Sequence, residues 1–552
     1  MSPAATVSAS ADYIVVGAGS AGCVLANRLT ADGRHSVVLL EAGPADRYPW
    51  IHVPIGYAKT MFHPRLNWRF HTEPEPQMNG RKIYWPRGRT LGGSSSINGL
   101  IAIRGQREDY DAWSAAGNRG WSYEEVLPYF KRSEHAEEGD PGFHGTDGPV
   151  WCSPIGRRHE LIEAIIAAGA ELGIPYNPDF NGRHQEGVGY YQLTTRKGLR
   201  CSAARAYLRP AAGRPNLTIE TDAHVTGLQF ATASATASAP GGRQRVTGIT
   251  YRQGTGEYTL VARREVILSA GALQSPQLLQ LSGIGPAPLL RATGIDLRLD
   301  LPGVGENLQD HLQARVIFEC SKPITTNDTL RSPWRTLLMG AQYVLTRRGP
   351  MAIGINQGGM FARTRPSLSR PDVQFHFATL SSDMAGSPTH RFSGFTMSVC
   401  QLRPASRGHV RIRSRDPLDP PAMQPNYLSV AEDRETLLAG MKLARALAAT
   451  RALSPYVTRE YRPGPEAVTD EAILESARNT AGTIFHPSGT CKMGDIARDQ
   501  TAVVDAALRV HGVDGLRVVD CSVMPTLVSG NTNLPVIMMA EKASDLILGD
   551  AS

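Results

Sequence analysis

Short apolar runs separated by glycine-rich turns open the chain. Asp12-Tyr13-Ile14-Val15-Val16 carries the β-branched bias of a buried parallel strand and leads directly into Gly17-Ala18-Gly19-Ser20-Ala21-Gly22. From Cys23 to Leu29 the apolar residues take helical spacing, and Ser36-Val37-Val38-Leu39-Leu40 is a second apolar run that ends in Glu41-Ala42-Gly43. The pattern predicts a β-α-β unit with a glycine-rich first turn. Near the C-terminus, Gly515-Leu516-Arg517-Val518-Val519-Asp520 reads as another buried strand, ending in an acid. In between, Val373-Gln374-Phe375-His376-Phe377 and His409-Val410-Arg411-Ile412-Arg413 alternate apolar and polar residues, as half-buried antiparallel strands do when one face meets solvent or a site. Ala233 to Arg243 is small, polar and glycine-rich, and reads as an exposed loop. No repeat is visible that would make a solenoid or propeller. The chain therefore reads as mixed α/β: a Rossmann-like unit plus a second unit with an antiparallel sheet and helices.

The spacing of the first glycines has a physical meaning. Gly17 permits a tight turn, Gly19 lets the backbone approach a pyrophosphate, and Gly22 allows close packing of helix on strand. The helix N-terminus then offers oriented N–H groups and a partial positive charge to phosphates. Glu41 follows where an acid can accept from ribose hydroxyls. Strand, glycine turn, helix, strand and acid together predict an adenine dinucleotide site, for NAD or FAD.

Composition narrows the class. One core stops growing at roughly 250–300 residues, so 552 residues imply more than one unit. A 41% hydrophobic, 20% charged chain is globular. The net charge is +7, but the basic residues are scattered and form no stripe with interleaved aromatics, so no nucleic-acid partner is expected. Seven cysteines, widely spaced and without C-x-x-C, speak against a disulfide framework or a zinc site and for a reducing compartment. No run approaches the roughly 20 apolar residues of a membrane span, and Met1 to Ala11 has no basic or apolar signal region. A cytoplasmic protein is expected, free or peripheral at the inner membrane.

Further segments separate FAD from NAD. Gly88-Arg89-Thr90-Leu91-Gly92-Gly93-Ser94-Ser95-Ser96-Ile97-Asn98 offers many backbone N–H groups and small side chains, suited to press against a flat ring and a pyrophosphate. Gly271-Ala272-Leu273-Gln274-Ser275-Pro276-Gln277-Leu278-Leu279, ending in Ser282-Gly283-Ile284-Gly285, is a turn, a helix and a second turn. These runs resemble the two signature patterns of the glucose–methanol–choline (GMC) oxidoreductases, and the likeness spans nearly the whole chain. Asn307-Leu308-Gln309-Asp310-His311 and Ser406-Arg407-Gly408-His409-Val410 look closest to choline dehydrogenases and related bacterial alcohol dehydrogenases.

The resemblance implies an FAD unit assembled from residues 1–155, 200–315 and 470–552, and a substrate unit from 156–199 and 316–469. It implies cofactor contacts from Gly17, Gly19, Ser20, Gly22, Glu41 and Ala42; from Arg89, Gly92, Gly93, Ser94, Asn98, Gly99, Leu100 and Ile101; and from Val225, Ala270, Gly271, Asp520, Cys521, Asn533 and Pro535. Asp520 would meet the ribityl chain. Some relatives tether their flavin through a His where this chain has Ile97, so FAD is expected to be noncovalent.

The same resemblance puts His486, in Phe485-His486-Pro487-Ser488-Gly489-Thr490-Cys491, and Asn531, in Ser529-Gly530-Asn531-Thr532-Asn533, at the catalytic positions. A histidine suits removal of an alcohol proton near neutral pH, and an amide can donate to the oxygen as it becomes alkoxide. The expected reaction is oxidation of a primary or secondary alcohol to its aldehyde or ketone, with hydride passing to flavin N5 and electrons then to oxygen, a quinone or another acceptor. His311 is expected to hydrogen-bond structurally, Cys491 to pack, and Ser94 and Ser95 to have no base partner; no metal is expected. Asn356, neutral where choline dehydrogenases tend to carry an acid, points away from choline. The alternatives are choline dehydrogenase proper, a hydroxynitrile-lyase-like enzyme of the same fold, an NAD dehydrogenase and a noncatalytic nucleotide binder.

Overall fold

Tyr13 to Val16 are buried and pair in parallel on both sides, with Val16 level with Leu40 on one neighbour and Leu268 on the other. That alignment fixes the first sheet. The computed structural model, which describes residues 6–231, 243–384 and 386–551, extends the predicted first strand to Thr6–Val16. The sheet runs Leu217–Glu220, Val37–Leu40, Thr6–Val16, Gly256–Leu268, Gln244–Gln253, Ala223–Phe230. Its first four strands are parallel, and the last three form an antiparallel meander. Leu516–Val518 adds in parallel to Gly256–Leu268, with Val518 level with Leu268. Gly17, Glu41, Ser269 and the Val519-Asp520 pair therefore leave the sheet at one edge, the carboxyl end where open α/β sheets bind ligands. Of the expected loop 233–243, all but Arg243 lies outside the described residues.

The second sheet is antiparallel throughout and runs Val457–Arg462, Leu312–Cys320, Gly394–Gln401, Val373–Ala378, Asn356–Ala362, Gly187–Tyr190, with Gly482–Thr483 pairing Leu312 and Gln313. Its strand Leu312–Cys320 alternates buried and half-buried residues from Leu312 to Val316. One face is apolar and carries two helices, Glu160–Glu171 and Ala431–Ala448. Both press close through a glycine: a Cβ on Gly440 would lie 2.6 Å from a Val399 methyl, and one on Gly169 2.7 Å from Val188. Val373–Ala378, expected to be half-buried, is buried on both faces, since its polar side meets a cavity roofed by the first sheet's loops instead of solvent. His409–Arg411 forms a separate two-stranded hairpin with Ala422–Gln424.

The C-terminal helix Asn533–Ala551 packs on Ser20–Leu29. Glu541, fully buried, takes Arg28 and Arg132 and accepts from the Tyr207 hydroxyl, which satisfies the charge that burial would otherwise make costly. The two helices are thereby locked side by side.

Candidate active site

A cavity of about 860 Å³ lies between the carboxyl edge of the first sheet and the polar face of the second. On the first-sheet side its wall is shaped by glycine. Gly17 has φ +98°, and a Cβ there would sit 2.6 Å from the Ser269 carbonyl oxygen. At Gly99 and Gly271, which line the cavity, a Cβ would meet no protein atom within 4 Å, so the backbone is bare to whatever fills the space. The helix Ser20–Leu29 starts at Gly19 without a side-chain cap, and Ser20 Oγ donates to Asn533 Oδ1 at 2.8 Å. Two helix N-termini thus meet at the cavity wall, where their free N–H groups and dipoles suit a pyrophosphate. Glu41 takes the N–H groups of Ala18 (3.1 Å) and Gly43 (2.9 Å) while burial pushes its carboxyl up to about 7. The donor set, bare backbone and volume fit a dinucleotide.

Most residues expected to contact the cofactor line this cavity: Gly17, Gly19, Ser20, Glu41, Ala42, Gly93, Ser94, Asn98, Gly99, Leu100, Ile101, Val225, Ala270, Gly271, Asp520, Cys521 and Asn533. Four do not, and each has a packing reason. Gly22 sits under the turn, where a Cβ would fall 1.9 Å from Gly17 O. Gly92 donates its N–H to Ala18 O at 2.8 Å and has φ +86°. Arg89 lies over the Trp68 ring at 4.7 Å and donates to Ala42 O. Pro535 is buried in the first turn of its helix, where a missing N–H costs no hydrogen bond. Asp520 lines the cavity but spends both oxygens on protein donors: Oδ2 on Gly271 N–H and Ser275 Oγ (2.8 and 2.6 Å), Oδ1 on Ser522 N–H (2.8 Å).

His486 and Asn531, 45 residues apart in sequence, come together at the second-sheet end. The segment carrying His486 is clamped against Asn307-Leu308-Gln309-Asp310-His311. Gln309 and Ser488 exchange backbone hydrogen bonds (3.0 and 2.9 Å), and His486 N–H donates to Asp310 Oδ1 at 2.7 Å. Tyr427 donates its hydroxyl to the other Asp310 oxygen.

Two backbone carbonyls then set the proton positions at His486 and Asn531. Leu402 O accepts from His311 Nε2 at 2.9 Å, so that nitrogen carries hydrogen and neutral His311 has a bare Nδ1. His311 Nδ1 lies 2.9 Å from His486 Nδ1, which must donate. His486 Nε2 is therefore the bare nitrogen. At the far end Phe375 O takes the Tyr191 hydroxyl (2.6 Å); the phenol oxygen accepts from Gln374 Nε2 (3.0 Å), which also donates to Asn531 Oδ1 (3.1 Å). This turns the Asn531 amide nitrogen toward His486 Nε2, 3.3 Å away. Desolvation holds the imidazoles neutral: His311 is pulled down to about 4, His376 to about 3, and His486 well below 6.5, with His311 and His376 adding to the effect.

Sequence reasoning missed the polar residues that the second sheet aims into the cavity: Gln313, Arg315, His376, Thr396 and Ser398, with Asn356 beside them. Their signal is period two, since 313 and 315, 376 and 378, and 396 and 398 share faces. Arg315 has no ion-pair or hydrogen-bond partner among the described residues; burial lowers its guanidinium to about 10, which leaves it a cation at neutral pH. No metal-binding group of side chains occurs among the described residues.

Family models for GMC oxidoreductases match residues 11–313 and 404–540. Alcohol dehydrogenase [acceptor] of Pseudomonas putida is 43% identical over 540 residues, covering 97% of this chain and 95% of that protein. Mitochondrial choline dehydrogenase of Mus musculus is 42% identical over 545 residues, covering 97% of this chain and 89% of its own. Among solved structures, pyridoxine 4-oxidase from Mesorbium loti superposes with a TM-score of 0.86 at 31% identity, over 97% of this chain and 98% of the other. A formate oxidase superposes at 0.90 and 26% identity, over 99% of both. The chain belongs to the GMC oxidoreductase family and is an FAD-dependent enzyme acting on CH–OH groups.

Proposed function

We propose that this enzyme oxidises neutral primary or secondary alcohols to aldehydes or ketones, with His486 as the general base and Asn531 as the donor to the developing alkoxide. The supporting observation is the bare Nε2 of His486, fixed by the His311 and Leu402 relay and facing the Asn531 amide in the cavity. An alcohol hydroxyl between the two would give its proton to Nε2 and take the amide N–H as its oxygen gains charge. Bound FAD supplies the acceptor for the carbon-bound hydrogen, which leaves as hydride. The glycine-rich edge of the first sheet is assigned to the cofactor and the polar face of the second sheet to the substrate.

A base must be unprotonated to act. Because burial depresses His486 below 6.5, its active form already dominates at neutral pH and is lost only as acid protonates it. Flavin reduction followed by stopped flow should therefore stay level from about pH 6.5 upward and fall only on the acid side. A rise continuing through pH 8 would point to a different base.

The charge in the substrate half of the cavity favours neutral alcohols over choline. Arg315 stands there without an ion-pair or hydrogen-bond partner, Lys59 and Arg87 also line the cavity, and among the described residues the only carboxylates lining it, Glu41 and Asp520, are tied to backbone on the first-sheet side. Anaerobic bleaching of the flavin by neutral alcohols tests the reading, since a hydroxynitrile lyase would leave the flavin oxidised. Arg315→Glu should raise kcat/KM for choline by about tenfold or more relative to a neutral alcohol. A wild-type kcat/KM for choline above that for every neutral alcohol tried would refute the assignment.

Ile97, buried and lining the cavity, offers carbon where a tether would need a nitrogen. Denaturing the holoenzyme should release FAD into the supernatant; flavin retained on the precipitate would show a covalent link.

A further inference from the structure

The helix Pro333–Thr346 is apolar on the side that faces away from the protein. Its inner stripe, Thr336, Met339 and Gly340, lines the cavity, and buried Tyr343 donates its hydroxyl to Gly198 O at 3.0 Å. The opposite stripe, Trp334, Leu337, Leu338, Ala341, Val344 and Leu345, has helical spacing i, i+3, i+4, i+7, i+10, i+11 and covers about 120° of arc. It is bare: Trp334 is 67% exposed, Val344 70% and Leu345 82%. Isolated exposed leucines need no explanation, but a contiguous apolar face does.

The helix and its flanks carry charge of one sign: from Ser332 to Ala362 the sequence has Arg335, Arg347 and Arg348 and no Asp, Glu or Lys, while Arg331 just before the helix is paired with Asp328. Exposed Arg335 sits near one end of the helix and exposed Arg347 and Arg348 at the other, and none of the three has a carboxylate partner among the described residues. A second copy of this face would bring like charges together, whereas a surface of anionic headgroups would complement them. The helix has 14 residues, too few to span a bilayer, and no described helix is long and apolar enough to cross one. An apolar face edged with arginine is the form of a helix that lies in the membrane interface.

We propose that the outer face of Pro333–Thr346 docks this enzyme on an anionic phospholipid surface. The docked helix is also a wall of the cavity, so the site lies next to the acyl layer. Docking is read out by binding and is independent of the reaction assigned above.

The test uses FAD-loaded enzyme and sucrose-loaded vesicles of phosphatidylglycerol with phosphatidylcholine, or of phosphatidylcholine alone. Wild type should sediment with the anionic vesicles and much less with the neutral ones. Leu338→Glu with Leu345→Glu should weaken binding by about tenfold or more, because it puts two charges in the apolar layer. Replacing Arg335, Arg347 and Arg348 by Ser should cost about fivefold per arginine. These residues do not line the cavity, so both variants should keep the wild-type rate with a water-soluble alcohol and a dye acceptor. Should the leucine variant fail to fold, quenching of Trp334 by brominated lipid, taken as the difference between wild type and Trp334→Phe, tests the same contact. Absence of vesicle binding by wild type, binding indifferent to the leucine substitutions, no quenching of Trp334, or a lipid-free dimer that those substitutions dissociate would each overturn the proposal.

Discussion

His486→Ala should slow reduction of the bound flavin by alcohol by about 10²–10⁴-fold while leaving FAD in place. The loss is that of a base already in its acting form, since the relay through His311 to Leu402 O presents a bare Nε2 to the cavity. Retention of FAD is expected because the glycine edge, Glu41 and the paired helix N-termini lie on the first-sheet side, away from this imidazole. Stopped-flow reduction is the measurement, as it isolates hydride transfer from the identity of the final acceptor. A variant bleaching at nearly the wild-type rate would mean that the base lies elsewhere. His311 would not be the substitute, because both its nitrogens are engaged; His376, which lines the cavity and holds Gln313 at 3.2 Å through Nδ1, would be the residue to test next.

Asn531→Ala should cost about 10²–10³-fold in the same half-reaction, the usual size for removing one donor to a developing oxyanion. Combined with His486→Ala, the two losses should be less than additive, since both groups act on one oxygen. Asn531→Asp gives a sharper result. It keeps the shape but replaces the amide nitrogen facing His486 with an anionic oxygen, and an anion there favours the imidazolium. The His486 pKa should rise, its unprotonated form should appear only at higher pH, and the profile that is level in the wild type should climb toward alkali. If Asn531→Asp keeps the level profile at full rate, the amide does not meet the reacting oxygen.

The geometry of the glycine turn was legible because it is local: a strand end, a tight turn and a helix start all lie within a few residues of one another. The placement of His486 and Asn531 followed from family likeness, and it is the clamp of Gln309 on Ser488, together with the hydrogen bond from Gln374 to Asn531, that holds residues so far apart at one cavity. Partners were not legible where they depend on long-range contact. His311 reads in sequence as a hydrogen-bonding histidine, but its partner His486 lies 175 residues on. Arg315 looks like the solvent face of an alternating strand, and nothing local says that the other sheet's loops close over it. Asp520 ends a strand as a ligand-binding acid would, yet its oxygens hold the turn at Gly271 and Ser275.

The chain of imidazoles behind His486 is a dead end. Leu402 O accepts a hydrogen bond but cannot take a proton away, so one gained at Nε2 has no onward route through His311 into the protein behind it. It has to leave by the side on which it arrived. Turnover then depends on the cavity mouth for proton traffic as well as for substrate, and a bulky product lingering there would delay recovery of the base as well as the next binding event. A solvent isotope effect that grows with product size would be the kinetic mark of such a one-door site.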